Sequence, residues 1–399
     1  MGDRLAEAYD HFITVGREMR ELIEATPRFT DHPEHRAQAY ATLAEATAQA
    51  YAQTIAPHPG TSRLHAQTAW HSTIFGVGGN CQDFKYGITL LDGRQTYRLR
   101  GRIGAAKLCL FQIQSGVQGT PGIRTLGNYD LHDFADADGN FEAVLSAKEH
   151  DGTWFPLDGD SATNYVMVRR ILGSIADDSG ELAIEAIDGP QPAPETDPDA
   201  MAERFDLGAD LLRFFVTEWA IGLSDLYLKV AGGHPNVIGL LPGAALGDAM
   251  AGSPSTTYGF GCFDLAHDEA LIIEWEPPDS AYWSFQVLDV WSNPLDFTNY
   301  QTGLNMETIR LDTDGRVRMV ISAADPGVPN WLDTRDRGQG QMIVRNYRAR
   351  GEATTPKTRL VKLADLRTEL PFDTPEVTPE QRAEALRSRR AAYLAAFGD

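Results

Sequence analysis

Four residues of the types that transfer protons lie in two short stretches of the sequence. His71 follows Trp70 just before a glycine-rich run, and Tyr129, Asp130 and His132 fall within four positions of one another. Histidine, tyrosine and carboxylate side chains act as general acids and bases when they reach a substrate. We therefore predict that His71, Tyr129, Asp130 and His132 are catalytic. The alternative for each histidine is a hydrogen-bonded structural role.

A second group of residues combines aromatic rings with amide and carboxylate groups. Rings and a few polar groups line small-molecule pockets, and loops commonly carry such sites. The residues predicted to bind substrate are Asn80, Asp83, Tyr86, Trp283, Trp291, Asn299, Tyr300, Asn305, Asn330 and Asp333. For the tryptophans Trp154, Trp283 and Trp331, core positions that seal one end of a β-sandwich are favoured.

The sequence lacks the common motifs of metal, nucleotide and nucleophile chemistry. The ten histidines form no H-x-H or H-E-x-x-H pattern, and neither G-x-x-x-x-G-K-[ST] nor G-x-S-x-G occurs. The stretches 136–139 and 312–315 begin like calcium loops but lack the glutamate at the twelfth position, and hairpin turns explain both. We expect no cofactor and no metal.

Composition and charge narrow the class of partner. The 399 residues include 35 Lys and Arg against 56 Asp and Glu, a net charge of −21, which opposes nucleic-acid binding. Three cysteines, Cys81, Cys109 and Cys262, stand far apart and indicate reduced thiols rather than disulfides. No signal peptide or apolar stretch of membrane-spanning length is evident, so we expect a cytoplasmic protein that does not interact with membranes.

Residue patterning divides the chain into helical and β-type segments. Apolar residues between Leu5 and Ala25 recur at three- and four-residue steps, which predicts a helix, and a second helix is expected from about His35 to Ala56. Short β-type runs with Asp-Gly turns follow, then a proline-rich linker. The predicted segments are a helical N-terminus (1–60), a first β unit (61–188), a linker with bridging helices (189–255), a second β unit (256–365) and a capped C-terminal helix (366–399).

The second β unit repeats the first. Four landmarks recur at a spacing of 174 to 177 residues: Phe111-Gln112 and Phe285-Gln286, Asp138-Gly139 and Asp314-Gly315, Trp154 and Trp331, and Arg169 and Arg345. A shared register of this kind indicates internal duplication. The predicted fold is mainly β with flanking helices (α+β), built from two β-sandwich-like units about a pseudo-twofold axis.

The two copies also differ. Trp291, Asn299 and Asn305 have no evident counterparts in the first unit, which suggests that the second unit acquired polar residues that its scaffold does not need. Arg169 and Arg345 close equivalent strands, so a structural salt bridge in each unit is favoured over binding of a substrate carboxylate.

Several short motifs of the second unit resemble one bacterial family. They are Ala281-Tyr-Trp-Ser, Asp312-Thr-Asp-Gly, Asn330-Trp-Leu and Ile343-Val-Arg, and over residues 256–350 they resemble the domain-of-unknown-function family twelve-fourteen (DUF1214). Similar proteins carry an upstream Asn-Pro-Asp-x-x-Tyr element, which reads Asn80-Cys-Gln-Asp83-Phe-Lys-Tyr86 here. The resemblance implies a β-sandwich-like architecture and a bacterial origin, and it brings no reaction with it.

Together these features favour a cofactor-independent enzyme that acts by acid–base catalysis on a small hydrophobic, hydroxylated aromatic molecule. A lyase is slightly favoured over a hydrolase. The alternative from another class is a non-catalytic ligand-binding or assembly protein, and a homo-oligomer fits either case.

Overall fold

The computed structural model describes residues 3–57, 65–66, 76, 78–190, 194, 196–246, 253, 255–276 and 278–397. None of the helices in these ranges is long and apolar enough to cross a membrane.

The N-terminal helices form where the sequence predicts them. Helix α1 (Arg4–Glu24) begins at Asp3, whose carboxylate accepts a hydrogen bond from the Leu5 amide at 3.1 Å. It buries the predicted apolar face against the core. Helix α2 (Pro27–Thr30) and a short 3-10 turn (Pro33–His35) lead into α3 (Arg36–Ala50), which continues as a π-helical segment, Tyr51–Ile55.

The first β unit consists of a five-stranded and a four-stranded sheet. Its strands are β1 (His65–Ala66), β2 (Phe84–Leu91), β3 (Thr96–Arg102), β4 (Leu108–Ser115), β5 (Arg124–Asp130), β6 (Asn140–Ser146), β7 (Trp154–Pro156), β8 (Asn164–Ile171) and β9 (Glu181–Asp188). The sheet orders are β1-β2-β8-β4-β5 and β7-β6-β3-β9. Strands β2, β4 and β8 are buried almost throughout, which agrees with their nearly continuous apolar sequences.

The second β unit repeats this strand order, which confirms the predicted fold class. Its strands are β10 (Gly239–Pro242), β11 (Thr256–Asp264), β12 (Glu269–Trp275), β13 (Tyr282–Leu288), β14 (Gly303–Asn305), β15 (Val317–Ser322), β16 (Trp331–Asp333), β17 (Gln339–Tyr347) and β18 (Lys357–Lys362). The sheet orders, β10-β11-β17-β13-β14 and β16-β15-β12-β18, match those of the first unit strand for strand.

One detail of the duplication is a tryptophan that anchors a short parallel strand. Trp154 begins β7 and donates its indole N–H to the Ser146 carbonyl at 3.1 Å. Trp331 begins β16 and donates to the Ser322 carbonyl at the same distance. Both tryptophans therefore have a structural role in the four-stranded sheets.

Helices after the first unit cover the sheets. They are α4 (Pro198–Phe214), which continues as a π-helical segment (Phe215–Gly222), α5 (Leu223–Val230), α6 (Leu366–Glu369) and α7 (Pro379–Phe397). Thr378 and Gln381 exchange hydrogen bonds at the start of α7, which is the predicted capping box. Tyr393 of α7 donates to the Gln82 carbonyl at 3.0 Å. Arg389 of α7 donates to the Phe297 carbonyl of the second unit, so α7 contacts both units.

The two five-stranded sheets contribute to one hydrophobic core. Direct bonds join the units there: the Tyr282 hydroxyl donates to Asp83 at 2.9 Å, and Asn305 donates to the Gly173 carbonyl at 2.8 Å. Because the facing sheets belong to equivalent halves, equivalent positions on β8 and β17 approach the same space.

Candidate active site

A chamber between the two five-stranded sheets is lined by two buried arginines and four tyrosines. In the first unit Tyr86 of β2 lies opposite Arg169 of β8, and in the second unit Tyr258 of β11 lies opposite Arg345 of β17. All four line one cavity of about 90 Å³. We call it the arginine–tyrosine chamber, with Tyr86, Arg169, Tyr227, Tyr258, Arg345 and Tyr347 as its polar lining.

Arg345 is a buried cation that pairs with no carboxylate of the residues that the structure describes. Only 5% of the residue is exposed. It donates from Nη1 to Gln286 Oε1 at 3.1 Å and from Nη2 to the Gly79 carbonyl, and it forms no ion pair with any carboxylate in the described part of the chain. The salt bridge predicted for this arginine is therefore wrong. Burial of a charge costs several kcal/mol unless an opposite charge compensates it, so the chamber favours an anion.

Arg169 occupies the matching position in the first unit. It is 7% exposed and donates from Nη1 to Gln112 Oε1 at 2.8 Å, as Arg345 does to Gln286. Each arginine therefore has its fork oriented by a glutamine on the adjacent central strand, β4 or β13. Glutamine is uncharged, so this hydrogen bond orients the guanidinium but does not neutralise its charge.

Three tyrosines of the chamber, Tyr86, Tyr227 and Tyr347, keep their phenol protons at neutral pH because burial raises each pKa. Burial raises the pKa of Tyr86 and of Tyr227, and attraction to Arg345 offsets this only in part. Burial also raises the pKa of Tyr347. Burial acts to lower the pKa of Arg345 and interaction with the ionised forms of Cys81 and Tyr86 acts to raise it, so the guanidinium stays charged. A guanidinium surrounded by phenol O–H groups can hold a carboxylate or stabilise an oxyanion that develops during a reaction.

The structure brings together two of the four residues that we predicted as catalytic, Asp130 and His132, but outside the chamber. His132 Nδ1 lies 2.8 Å from Asp130 Oδ1, and His132 Nε2 lies 3.0 Å from the Ala106 carbonyl. The hydrogen bond to Asp130 raises the pKa of His132. Tyr129 stacks on Phe155 with ring centroids 4.1 Å apart. His71 lies outside the described residues.

Asp130 also joins the two units. Burial would raise its pKa, but hydrogen bonds from His132 and the Cys109 amide lower it, so it is a carboxylate at neutral pH. Its second oxygen lies 3.0 Å from Nη1 of Arg348, a residue of the second unit. Both ring nitrogens of His132 face acceptors of the protein, so neither is directed at a substrate. His132, Asp130 and Arg348 therefore form a structural ion-pair cluster.

Of the residues that we predicted to bind substrate, Tyr86 lines the chamber. Asn80 and Asp83 lie on the segment that precedes β2, where the Asn80 carbonyl accepts from Gln286 Nε2 at 3.1 Å. This bond helps to fix the glutamine that orients Arg345. Burial raises the pKa of Asp83, and its contact with Tyr282 places it at the boundary between the units.

The other predicted binding residues of the second unit make contacts within the protein. Trp291 is fully buried and donates to the His35 carbonyl at 3.1 Å. Asn305 accepts from the Thr308 amide at 3.0 Å, and Trp283 packs edge-on against Trp275. These side chains hold a helix or a loop against the sheets.

The remaining four also stabilise loops. Asn330 accepts from the Arg310 amide at 2.9 Å, and Asp333 accepts from the Arg335 amide at 2.7 Å. Asn299 donates to Asp296 at 2.8 Å, and the Arg335 guanidinium lies 3.3 Å from the Tyr300 ring centroid. The expectation that the scaffold does not need this polar set is therefore wrong.

Sequence reasoning missed most of the chamber: Arg169, Tyr227, Tyr258, Arg345 and Tyr347. A usable signal was present. Each arginine ends an otherwise apolar run, Val-Met-Val-Arg or Met-Ile-Val-Arg, and side chains alternate between the faces of a strand. The repeat places both arginines at equivalent positions of β8 and β17, so the two charges face the same space.

Comparisons with other proteins support the family resemblance and the fold. Residues 264–351 match the family described as "Protein of unknown function (DUF1214)", as the sequence motifs predict. The fold is similar to that of an uncharacterized protein from Burkholderia cenocepacia, with 26% identity and a TM-score of 0.79 over 90% of this chain and 99% of that one. A protein from Vibrio parahaemolyticus matches at 14% identity and a TM-score of 0.46, over 81% of this chain and all of that one. No curated protein matches the sequence.

Proposed function

We propose that the protein is a cofactor-independent lyase for a small hydroxylated aromatic compound, and that the arginine–tyrosine chamber binds the acidic end of this substrate. The observation that carries the proposal is Arg345, a buried guanidinium that has no carboxylate partner among the described residues and lines the same cavity as four tyrosines. A phenolate or carboxylate of the substrate would supply the missing negative charge.

The same groups suit an elimination. In an elimination one fragment leaves with the bonding electron pair and the other fragment loses a proton. A neutral tyrosine such as Tyr86 or Tyr227 would protonate the first fragment, and its phenolate, stabilised by Arg345, would accept the proton of the second. A volume of about 90 Å³ accommodates an acidic group and a few carbon atoms, since an apolar cavity of about 150 Å³ just holds benzene. We therefore place the charged end of the substrate, rather than the whole molecule, in the chamber.

One observation favours a binding protein instead. The described lining residues of the chamber include no histidine, aspartate or glutamate that could serve as a base. Neutral phenols and guanidinium groups bind an anion well without any reaction. A hydrolase would likewise need a base to activate water.

The experiment is a thermal-shift screen of phenols, hydroxybenzoates and phenolic dimers, followed by mass spectrometry of each stabilising compound after long incubation. Arg345→Met removes one of the two arginines that line the chamber, the one on which the proposal rests. Arg170→Met is the matched control, because Arg170 is the next residue on β8, is not part of the chamber lining and donates to the Gly180 carbonyl at 3.4 Å. A bound ligand stabilises the folded protein in proportion to its concentration over Kd.

We expect a compound that stabilises the wild type and Arg170→Met but not Arg345→Met, and that is converted beyond one equivalent into two fragments whose masses sum to that of the substrate. Fragments that together contain one extra water would replace the lyase by a hydrolase. A stabilising compound recovered intact would establish a binding protein and contradict the enzyme proposal.

A further inference from the structure

A second cluster of ligand-type side chains lies apart from the chamber, in the turn between α2 and α3. It consists of His32, Glu34 and His35, with Pro33 fixing the backbone between them. One nitrogen or oxygen of each residue lies within 4.8 Å of those of the other two. The two imidazole rings are nearly parallel, with centroids 5.0 Å apart. The sequence His32-Pro-Glu-His35 matches neither H-x-H nor H-E-x-x-H.

The distances within this cluster are close to those of a coordination sphere. His32 Nδ1 lies 3.1 Å from Glu34 Oε1. Zinc binds imidazole nitrogen and carboxylate oxygen at about 2.0–2.2 Å, so two ligands on one ion lie about 3 Å apart. Only small side-chain adjustments are needed for a third ligand to approach the same point.

His35 supplies an independent observation. The residue is 7% exposed, and its Nδ1 is buried without a hydrogen-bond partner in the described structure. A buried polar atom without a partner costs about 1–3 kcal/mol, and coordination of a cation would satisfy it. The backbone of His35 is held in place, because its carbonyl accepts from the Trp291 indole at 3.1 Å.

The cluster borders a larger cavity than the chamber. His32 lines a space of about 440 Å³ together with Arg28, Ser224 and Gln341. Gln341 is 1% exposed, and its Oε1 also has no hydrogen-bond partner among the described residues. Three protein ligands leave a coordination position open for water or a small ligand, which this cavity can admit.

We propose that His32, Glu34 and His35 bind one divalent transition-metal ion of the zinc and cobalt class. Two imidazoles and one carboxylate are the ligand set that suits these ions rather than calcium or magnesium, which prefer all-oxygen sites. The proposal contradicts our expectation that the protein binds no metal. It is independent of the proposed lyase activity, because the metal cluster and the chamber share no lining residue.

The test is a Co²⁺ titration of the untagged, chelator-treated protein, followed by its visible d–d absorption, with Zn²⁺ as competitor. The variants are His32→Ala and Glu34→Gln, whose side chains are exposed enough to be replaced without loss of the fold. His267→Ala is the matched control, since His267 and Asp336 form another histidine–carboxylate pair, 3.4 Å apart and far more exposed. Circular dichroism verifies that every variant is folded.

We expect one equivalent of Co²⁺ to give an absorption band in the wild type and in His267→Ala, displaced by one equivalent of Zn²⁺. His32→Ala should weaken binding at least tenfold, and Glu34→Gln should weaken it less. The proposal is overturned if the wild type gives no band, or if His32→Ala and Glu34→Gln both bind Co²⁺ as tightly as the wild type.

Discussion

The two β units carry the same buried arginine on the same strand, and each arginine donates to a glutamine of the neighbouring strand. Arg169 donates to Gln112 in the first unit, and Arg345 donates to Gln286 in the second. Both lie in the arginine–tyrosine chamber. The duplicated units have therefore both kept a buried arginine at the place where the two sheets meet.

The units differ where helices cover them. Trp154 and Trp331 make the same hydrogen bond to a serine carbonyl, but Trp154 is only partly buried, whereas Trp331 is 7% exposed. Arg382 of α7 lies over the Trp331 ring, 5.2 Å from its centroid, and pairs with Asp325. The two tryptophans thus differ in burial because α7 packs over one of them. The arginines that both units share line the candidate site.

The largest effect should come from the shared arginines. We expect Arg169→Met and Arg345→Met each to weaken binding of a small carboxylate such as benzoate at least about tenfold, because removal of one partner of a buried charged contact is costly. Thermal shifts at increasing benzoate concentration measure this, with Arg170→Met as control. If only one of the two variants weakens binding, the halves of the chamber are not equivalent.

The tryptophans test the difference in packing. Trp331→Phe should lower the free energy of unfolding by about 1–3 kcal/mol, because the buried Ser322 carbonyl loses its closer donor and keeps only the Thr334 amide at 3.5 Å. Trp154→Phe should cost less than about 1 kcal/mol, since Trp154 is only partly buried and the Ser146 carbonyl keeps the Leu157 amide as a donor at 3.0 Å. Urea unfolding of both variants measures the values. Equal losses would contradict the assigned role of α7.

The pH dependence of stability tests the role of the buried Asp83 at the boundary between the two units. Burial raises the pKa of Asp83, so the folded protein holds this proton more tightly than the unfolded chain does. The wild type should therefore lose stability as the pH rises from about 4 through the folded pKa, and Asp83→Asn should not show this loss. Urea unfolding at several pH values gives the difference, and a difference that is independent of pH would contradict the raised pKa.

The smallest effect is expected at His132. Its pKa is raised by Asp130, so the pair stabilises the fold below about pH 6.5 and this contribution is lost as the pH rises through the folded pKa. His132→Gln should cost less than about 1 kcal/mol at acidic pH, because the side chain is 38% exposed and solvent screens the pair. Benzoate binding should be unchanged. Loss of binding would instead restore His132 as a site residue.

The fold could be predicted from the sequence because its signals are local and repeated. Helical periodicity places α1 within one residue of its observed ends, and the recurring landmarks give two equivalent sandwiches. The Thr378 capping box is likewise a short-range pattern with one physical explanation.

The site could not be predicted in the same way, because it depends on which strand faces meet. Asn305 and Trp291 have the residue types of a binding pocket, yet their partners are a carbonyl of the first unit and a carbonyl of the N-terminal turn. Sequence spacing does not show such long-range contacts. Tyr86 was identified through the family-like element, whereas Arg345 was assigned to a salt bridge that the described structure does not contain.

The most direct test of the central claim is anomalous diffraction from a crystal soaked in bromide. Bromide is a single-atom anion small enough for a cavity of about 90 Å³, and its anomalous peak locates it without ambiguity. We expect a bromide ion in the arginine–tyrosine chamber, in contact with the Arg345 guanidinium and a tyrosine hydroxyl. Bromide ions bound at surface sites, with no peak in the chamber, would contradict an anion-binding role for Arg345.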